Sequence, residues 1–382
     1  MPIYKMEGKK DGLQKYRVRI NYVDRDGKNR QLDRVAYGRD EAKELEIRLI
    51  KDLREETVKK ITLQELYNEY IKVKQFEVRE TTLDKNKKLL KAYIIPYFNN
   101  KKLNSITIST LQRWKTYIEQ QTTSDGSPFS LGYKKKIYSV FIALLNYAVK
   151  MEYIDRNLLS ALGNFKDVNA IKSDIDFYMP NEFLKYIKVS RDFAKQMEKD
   201  TNNIREWYFY IFFNIAFYTG LRKGEINALK WTDIKNNTIY VTRSISQTLK
   251  GKDRETPPKN KSSIRSIQIP IPLKKALDEH YNRCQQLSGF NDDWRICGGA
   301  ICLRDSAIDK HNYLYAKTAN IKRIRIHDFR HSHASLLANS GINIQEIARR
   351  LGHTNIEMTW NTYSHLYPKE EEKALEILNK IE

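Results

Sequence analysis

Three cysteines in 382 residues, with no CxxC pair, leave little from which to build a disulfide framework or a thiolate metal site. The start of the chain carries no secretory signal pattern, so a reducing cytoplasm is the natural compartment. Long hydrophobic runs are missing as well. The most apolar stretch, Trp207 to Leu221, is interrupted by Asn214 and falls short of the roughly 20 residues that span a bilayer, so it reads as a buried helix. The chain has no H-E-x-x-H signature, internal repeat or low-complexity tract, which argues against a metalloprotease-type centre and against a solenoid. Negative charge is the largest deficit: 47 Asp and Glu face 68 Lys and Arg, for a net charge of +21. Such a balance points to a polyanionic partner, with nucleic acid favoured and no membrane implied.

The location of the charge says more than its total. Residues 1–60 carry 17 basic against 12 acidic residues, residues 61–172 carry 18 against 10, and residues 173–382 carry 33 against 25. Every segment is basic, which fits a protein that wraps DNA with several surfaces better than one with a single basic tail. The length exceeds one ordinary core, and 41% apolar residues suffice for two or three.

The start shows strand periodicity. Tyr16, Val18, Ile20 and Tyr22 alternate with polar residues, an Asp24–Gly27 turn follows, and a second run passes through Arg30, Leu32, Arg34 and Ala36. With Ile3 to Met6 as a short strand and a helix from Asp40 to Glu56, residues 1–60 form a small sheet-plus-helix module, whose basic face is either a DNA contact or a solvated scaffold. Thr62-Leu63-Gln64-Glu65 is a capping-box pattern, and Ile61 with Leu66 is placed for a hydrophobic staple. Helices are expected from there and over Thr82 to Tyr93, Ile108 to Gln120 and Leu131 to Met151, with Pro96 and the loop Thr122 to Pro128 between them. Residues 61–165 thus read as a helical bundle whose lysines Lys85, Lys87, Lys88 and Lys134 to Lys136 serve phosphate contact or plain solubility. Residues 163–176 look like a linker. After it, helices at Asn181 to Val189 and Asn203 to Tyr218, strands at Thr238 to Arg243 and Ile264 to Ile269, and further helices from Leu273 complete a unit spanning residues 173–382. The fold class is multidomain α+β: a three-stranded N-terminal sheet with a helix, a helical domain, and a mainly α domain with a small antiparallel sheet.

Chemistry concentrates in that last unit. In Thr219-Gly220-Leu221-Arg222-Lys223-Gly224-Glu225, Gly220 can adopt the left-handed conformation that ends a helix and presents Arg222 at a tight turn. Arginine's planar fork can hold two phosphate oxygens, Glu225 can orient its neighbours, and the bland alternative is a surface arginine. His327-Asp328-Phe329-Arg330 opens the next apolar helix, with His327 and Arg330 on one face near free backbone amides. His331 and His333 read as structural residues, His331 packing against the site. A metal pair at His327 and His331 lacks a supporting pattern. Ser340-Gly341 breaks this helix, Ile342 to Leu351 forms another ended by Gly352 beside His353, and Thr354 caps a short last helix that carries Tyr363. Taken singly, a tyrosine there would be core packing. Tyr367 is its rival, although Pro368 suggests that the helix is ending.

In combination, these residues resemble the tyrosine recombinase family, the phage-type integrases. Arg222 matches the first arginine in a TGLRxGE motif, Lys259 before Ser263-Ile264-Arg265-Ser266-Ile267 matches the lysine between two strands, and His327 with Arg330 matches HxLRH with Phe329 in place of leucine. His353 matches LGH, and Tyr363 follows ten residues later. Lys261 is the alternative to Lys259, because Asn260 stands where the family more often has threonine. Thr81 to Leu83 and Ile95 to Phe98 resemble elements of the family's core-binding domain (61–165), and residues 1–60 resemble the arm-binding domain of integrases from Gram-positive mobile elements. The resemblance implies that Tyr363 attacks a phosphodiester to form a 3′-phosphotyrosyl link and frees a 5′-hydroxyl, so that a mobile element is integrated and excised. Arg222, Arg330 and His353 would stabilise the transition state, His327 would accept a proton and Lys259 would donate one, without ATP, metal or cofactor. It also implies core and arm attachment sites on double-stranded DNA, a homotetramer, an excisionase, a host DNA-bending protein and a place at the bacterial nucleoid. The tail from Lys369 to Glu382, with Leu375, Ile377 and Leu378, would pack on a neighbour or in cis. A type IB topoisomerase shares the chemistry, and a DNA-binding regulator could keep the fold without activity. A separate arm-like module argues against the first and the intact residue set against the second.

Overall fold

The computed structural model describes residues 3–23, 28–57, 61–98, 101–167, 176–246, 253–256, 263–366, 375 and 378. It divides into two compact units, Met1–Ile171 and Lys172–Glu382. The first begins with an antiparallel sheet of β1 (Ile3–Lys10), β2 (Leu13–Val23) and β3 (Asn29–Tyr37), with β2 in the centre. Period-two alternation buries Val18 and Ala36 against Ala42 and Leu49 of α1 (Arg39–Thr57), while Arg19 on the other face pairs with Asp33 at 2.9 Å. The turn expected at Asp24–Gly27 lies outside the described residues.

Helix α2 (Leu63–Glu77) starts as its sequence dictates: Thr62 Oγ1 accepts from the Glu65 amide, the Glu65 carboxylate accepts from the Thr62 amide, and Ile61 and Leu66 are both buried. Helix α3 (Glu80–Tyr93) begins two residues earlier than expected. Pro96 proves to be part of a helical turn, α4 (Ile95–Phe98), at a position near the N-terminus where its missing N–H has no intrahelical partner to lose. Helices α5 (Ile108–Glu119), α6 (Leu131–Lys150) and α7 (Leu158–Leu162) close the bundle around Trp114, Phe98, Phe141 and Leu144. The Trp114 indole donates to the Tyr93 carbonyl at 2.9 Å, so its one polar atom is satisfied in the core. Lys85, Lys88, Lys135 and Lys136 are exposed, with Lys88 paired to Asp84.

The second unit is built on α8 (Pro180–Thr201) and α9 (Arg205–Thr219). Helix α8 runs well past the expected end at Val189. Nothing between Ser190 and Thr201 breaks a helix, and the stop comes at Asn202, which takes the left-handed conformation at φ 52°. Every residue of α9 from Trp207 to Phe217 is buried, and Phe183 of α8 stacks on Phe217 with ring centroids 3.7 Å apart. Helix α10 (Lys223–Ala228) leads to β4 (Ile234–Lys235) and β5 (Thr238–Val241), then β6 (Ser244–Ser246), β7 (Arg254–Thr256) and β8 (Arg265–Gln268). Strands β4, β5 and β8 form one antiparallel sheet, whereas β6 and β7 form a separate hairpin that the sequence pattern did not reveal. The strand expected at Thr238 to Arg243 starts as foreseen and ends at Val241, and the one expected at Ile264 to Ile269 is trimmed by one residue at each end. Helices α11 (Ile271–Gln285), α12 (Asp305–Thr318), α13 (Asp328–Asn339), α14 (Ile344–Leu351) and α15 (Ile356–Tyr363) complete the unit. Asn343 and Asn355 cap α14 and α15 through their side chains. The cap of α15 is therefore one residue beyond the expected Thr354, where Asn355 Oδ1 reaches the Glu357 amide at 2.9 Å.

No helix among the described residues is long and apolar enough to cross a membrane. Trp114→Ala removes both the largest side chain of the helical core and its hydrogen bond. It should cost about 3–5 kcal/mol in the first unit, read as an earlier urea transition of that unit in the full chain.

Candidate active site

Four chain segments meet where two helices end. Gly220 closes α9 at φ 65°, and Gly352 closes α14 at φ 66°, both in the left-handed region. Each is also sterically required. A Cβ on Gly220 would lie 2.8 Å from the His333 ring, and one on Gly352 would lie 2.9 Å from Arg265 Nη1. Between these two ends sits Arg330 of α13, only 3% exposed, donating from Nη1 to the Gly220 carbonyl at 2.8 Å and from Nη2 to the Leu351 carbonyl at 2.6 Å. A cation facing carbonyls at helix C-termini is favourably placed against both dipoles. These two bonds also lock the plane of the fork, and the remainder of its five N–H donors is left over for an anion.

Arg222 is the backbone N-cap of α10. Its amide donates to Glu225 Oε2 at 2.9 Å and its Nη1 to Glu225 Oε1 at 3.0 Å, while more than a third of the side chain stays open to solvent. Arg265, at the start of β8, completes a cluster that the sequence did not reveal. Its buried guanidinium donates from Nη2 to Glu225 Oε2 at 2.8 Å, from Nε to the Arg350 carbonyl at 2.7 Å and from Nη1 to the Ser263 carbonyl at 3.0 Å. One carboxylate thus serves two arginines, with Arg330 close enough to feel both. Burial, then repulsion from Arg222, draw the Arg330 pKa down to about 9. Burial alone would raise the Glu225 pKa, but hydrogen bonding and attraction from Arg265 outweigh it and leave the group below its ordinary value. The cluster is an anion site with more positive than negative charge.

Tyr363, the last residue of α15, is 2% exposed and packs with Ala334, Ala338, Ile347 and Leu351, so it is a core residue in the plain sense. Its hydroxyl oxygen lies 2.5 Å from His331 Nδ1. Burial pushes the hydroxyl pKa above its ordinary value against the pull of Arg330. His331 therefore contacts the Tyr363 hydroxyl instead of merely packing beside it. His327, one helical turn earlier and exposed, sets its ring perpendicular to that of His331 at 5.2 Å. His353 Nδ1 is 2.8 Å from the buried Thr359 hydroxyl, which fixes the ring, and burial followed by Arg330 and Arg222 holds its pKa near 4. His333 is buried with Nδ1 2.9 Å from the Phe217 carbonyl. Among the described residues no three His, Cys, Asp or Glu side chains are grouped to hold a metal ion.

The structure thus brings Arg222, His327, Arg330, His353 and Tyr363 to one place. Lys259 and its alternative Lys261 lie outside the described residues, as do Tyr367 and most of the tail, of which Leu375 and Leu378 are exposed. Ser263, just beyond the lysines, is tied to the arginine cluster through Arg265. The signal for Arg265 was a charged residue starting a strand that is otherwise half-buried. The signal for His331 was its i, i+4 spacing from His327.

The described arrangement can bind a phosphodiester and direct a tyrosine hydroxyl at it. A model of the phage integrase family matches residues 188–370, and one of the phage integrase N-terminal SAM-like domain matches residues 62–118, together more than half of the chain. The ICEBs1 integrase of Bacillus subtilis (strain 168) is 27% identical over 359 residues, covering 91% of each chain. Among solved structures, the Tn1549 transposon integrase in complex with a circular intermediate DNA has a TM-score of 0.66 at 18% identity, over 83% of this chain and 99% of that one. A lambda integrase tetramer bound to a Holliday junction has a TM-score of 0.54 at 18% identity, over 97% and 95%. The fold class read from the sequence agrees with these neighbours.

Because Glu225 titrates below its ordinary value, it stabilises the fold above the unfolded carboxylate pKa of about 4.3, and this contribution disappears as pH falls through the lower folded value. Glu225→Gln leaves Arg265 buried without a counter-charge and should cost about 3–5 kcal/mol at pH 7. The gap between variant and wild type should narrow as pH drops below about 4, as checked by urea titration across pH.

Proposed function

The chain belongs to the phage integrase family of tyrosine recombinases, and from that premise we propose that Tyr363 is the nucleophile of strand exchange, with Arg222, Lys259, His327, Arg330 and His353 as its catalytic partners. The protein is a site-specific DNA recombinase that acts in integration and excision. The observation that carries the residue assignment is the buried Tyr363 hydroxyl set beside Arg330, whose fork is already fixed by carbonyls of two helix ends.

A tyrosine hydroxyl of pKa about 10 is a poor nucleophile at neutral pH and needs a proton acceptor and a strongly positive site. Arg222 and Arg330 take the two non-bridging oxygens of the scissile phosphate. They are held before the substrate arrives, so no reorganisation is needed as charge grows on the pentacoordinate transition state, and each such donor is worth roughly 3 kcal/mol. His353, fixed by Thr359, supplies a further hydrogen bond. His327 is the histidine that the family resemblance assigns as proton acceptor. Lys259, in the segment between β7 and β8, protonates the departing 5′-oxygen. The phosphodiester becomes a phosphotyrosyl ester of similar energy, so a second 5′-hydroxyl reverses the step and no ATP is consumed.

In this reading residues 1–60 bind arm sites, residues 61–165 grip the core site, and residues 173–382 perform the chemistry. Four protomers act on two duplexes, as in the lambda integrase tetramer on a Holliday junction. An excisionase and a host DNA-bending protein set direction, and the work takes place in the bacterial cytoplasm at the nucleoid.

A nicked attachment-site duplex should trap a covalent protein–DNA adduct that Tyr363→Phe abolishes, and an adduct that survives in this variant would remove Tyr363 from its role. Arg222→Lys and Arg330→Lys should each slow adduct formation by roughly 10²–10³-fold. A substrate with sulfur in place of the bridging 5′-oxygen needs little help from an acid, so it should restore cleavage by Lys259→Ala. If it restores Lys261→Ala instead, the acid is Lys261. Relaxation of a supercoiled plasmid that lacks any attachment site would favour the topoisomerase alternative.

A further inference from the structure

We propose that His331 is the immediate proton acceptor for the Tyr363 hydroxyl. The proposal rests on the reading of Tyr363 as the nucleophile and moves the accepted proton from His327, to which the resemblance assigns it, to His331. His331 of α13 and His327, the residue that precedes the helix, stand one turn apart, and His331, not His327, makes the contact. Its Nδ1 lies 2.5 Å from the hydroxyl oxygen, a short distance for an O–H···N bond, with the two rings 5.8 Å apart and tilted by 52°. His331 directly follows Arg330 in the chain. A single helical turn therefore carries both the group that binds the phosphate and the group that touches the attacking oxygen.

The chemistry requires a neutral imidazole with Nδ1 free to accept, and the surroundings favour it. His331 faces His327, Asp328, Arg330 and Arg325, and burial followed by the nearby positive groups keeps its pKa near 4. As Tyr363 Oη attacks, the Oη–P bond forms and the proton moves to His331 Nδ1. The P–O5′ bond breaks, and the 5′-oxygen takes a proton from the lysine acid. In rejoining, the incoming 5′-hydroxyl gives its proton to the lysine as the O5′–P bond forms, and the P–Oη bond breaks as Tyr363 recovers its proton from His331. A base with so low a resting pKa takes a proton only when negative charge builds nearby. The phosphorane supplies that charge at the required moment, because it forms next to Arg330. Transfer is thereby tied to a bound phosphate, and the resting tyrosine stays protonated.

The test separates proton transfer from mere positioning. His331→Asn places an amide oxygen near the former Nδ1, where it can accept the hydrogen bond but cannot hold the proton, and His331→Gln is a second variant in case the first melts early. Each is combined with difluorotyrosine at position 363, whose hydroxyl is more acidic and depends less on a base. Single-turnover adduct formation on a nicked attachment site is the readout, with gel shift as the control for DNA binding. H331N with ordinary tyrosine should cleave about 10²–10⁴-fold slower than wild type while binding DNA normally. Difluorotyrosine should restore at least about tenfold in H331N and change the wild type far less, in line with the size of a base contribution. Cleavage by H331N within about threefold of wild type overturns the proposal, as does failure of difluorotyrosine to raise its rate. Rescue confined to His327→Gln overturns it too and assigns the proton to His327. Adduct formation by Tyr363→Phe would instead sink the underlying reading of the nucleophile.

Discussion

A guanidinium withdrawn from water must find its hydrogen bonds inside the protein, and Arg330 finds them on carbonyls at the ends of two helices that are far apart in sequence. The Gly220 and Leu351 carbonyls belong to α9 and α14, and Arg330 itself to α13. One side chain therefore fixes the meeting point of three helices. The two glycines that end α9 and α14 follow from this demand. Each must turn the chain through a left-handed residue at once and leave room for a ring or a guanidinium, which no side-chain-bearing residue could do without displacing His333 or Arg265. Loss of the arginine would leave two buried carbonyls unsatisfied and the turns without a reason.

The second constraint is charge. Arg222 and Arg265 share the Glu225 carboxylate, and Arg330 adds a third cation nearby. Burial first, and then repulsion from Arg222, lower the Arg330 pKa, and the surplus of positive charge favours an anion. In the proposed mechanism, binding of the phosphate and stabilisation of its more highly charged transition state come from one arrangement. Arg265 also carries the effect outward. It ties Ser263, at the foot of the segment that contains Lys259 and Lys261, to the same carboxylate that holds Arg222. Ser263, Arg265 and Arg222 are thus anchored to one carboxylate.

What was legible in the sequence is what local chemistry decides. The Thr62 capping box, the terminating roles of Gly220 and Gly352, the alternation of β2 and the burial of α9 each follow from a few neighbouring residues. The features that were not legible depend on distant partners or on the absence of a signal. Helix α8 runs on because nothing stops it before Asn202. The β6–β7 hairpin consists of two three-residue strands, too short for periodicity to show. Arg265 looked like one more basic residue in a basic chain, and only its contact with Glu225, 40 residues earlier, distinguishes it. Tyr363 and His331 are 32 positions apart, and no pattern along the chain reports that they touch.

Core packing and catalysis at Tyr363 are not rival explanations. The ring is buried among Ala334, Ala338, Ile347 and Leu351, side chains of the helices that carry Arg330 and end at Gly352. The packing that makes the residue look structural therefore sets its hydroxyl against His331 Nδ1. Burial has an electrostatic cost as well, since it raises the hydroxyl pKa and makes the free phenolate less accessible than in water. In the proposed role such a hydroxyl cannot be activated by a lowered resting pKa. It has to lose its proton in the same event in which the phosphate takes on charge, and this places the burden on a neutral acceptor within hydrogen-bond reach and on arginines already fixed in place. Under the proposed mechanism, a site built this way reacts only around a bound phosphodiester.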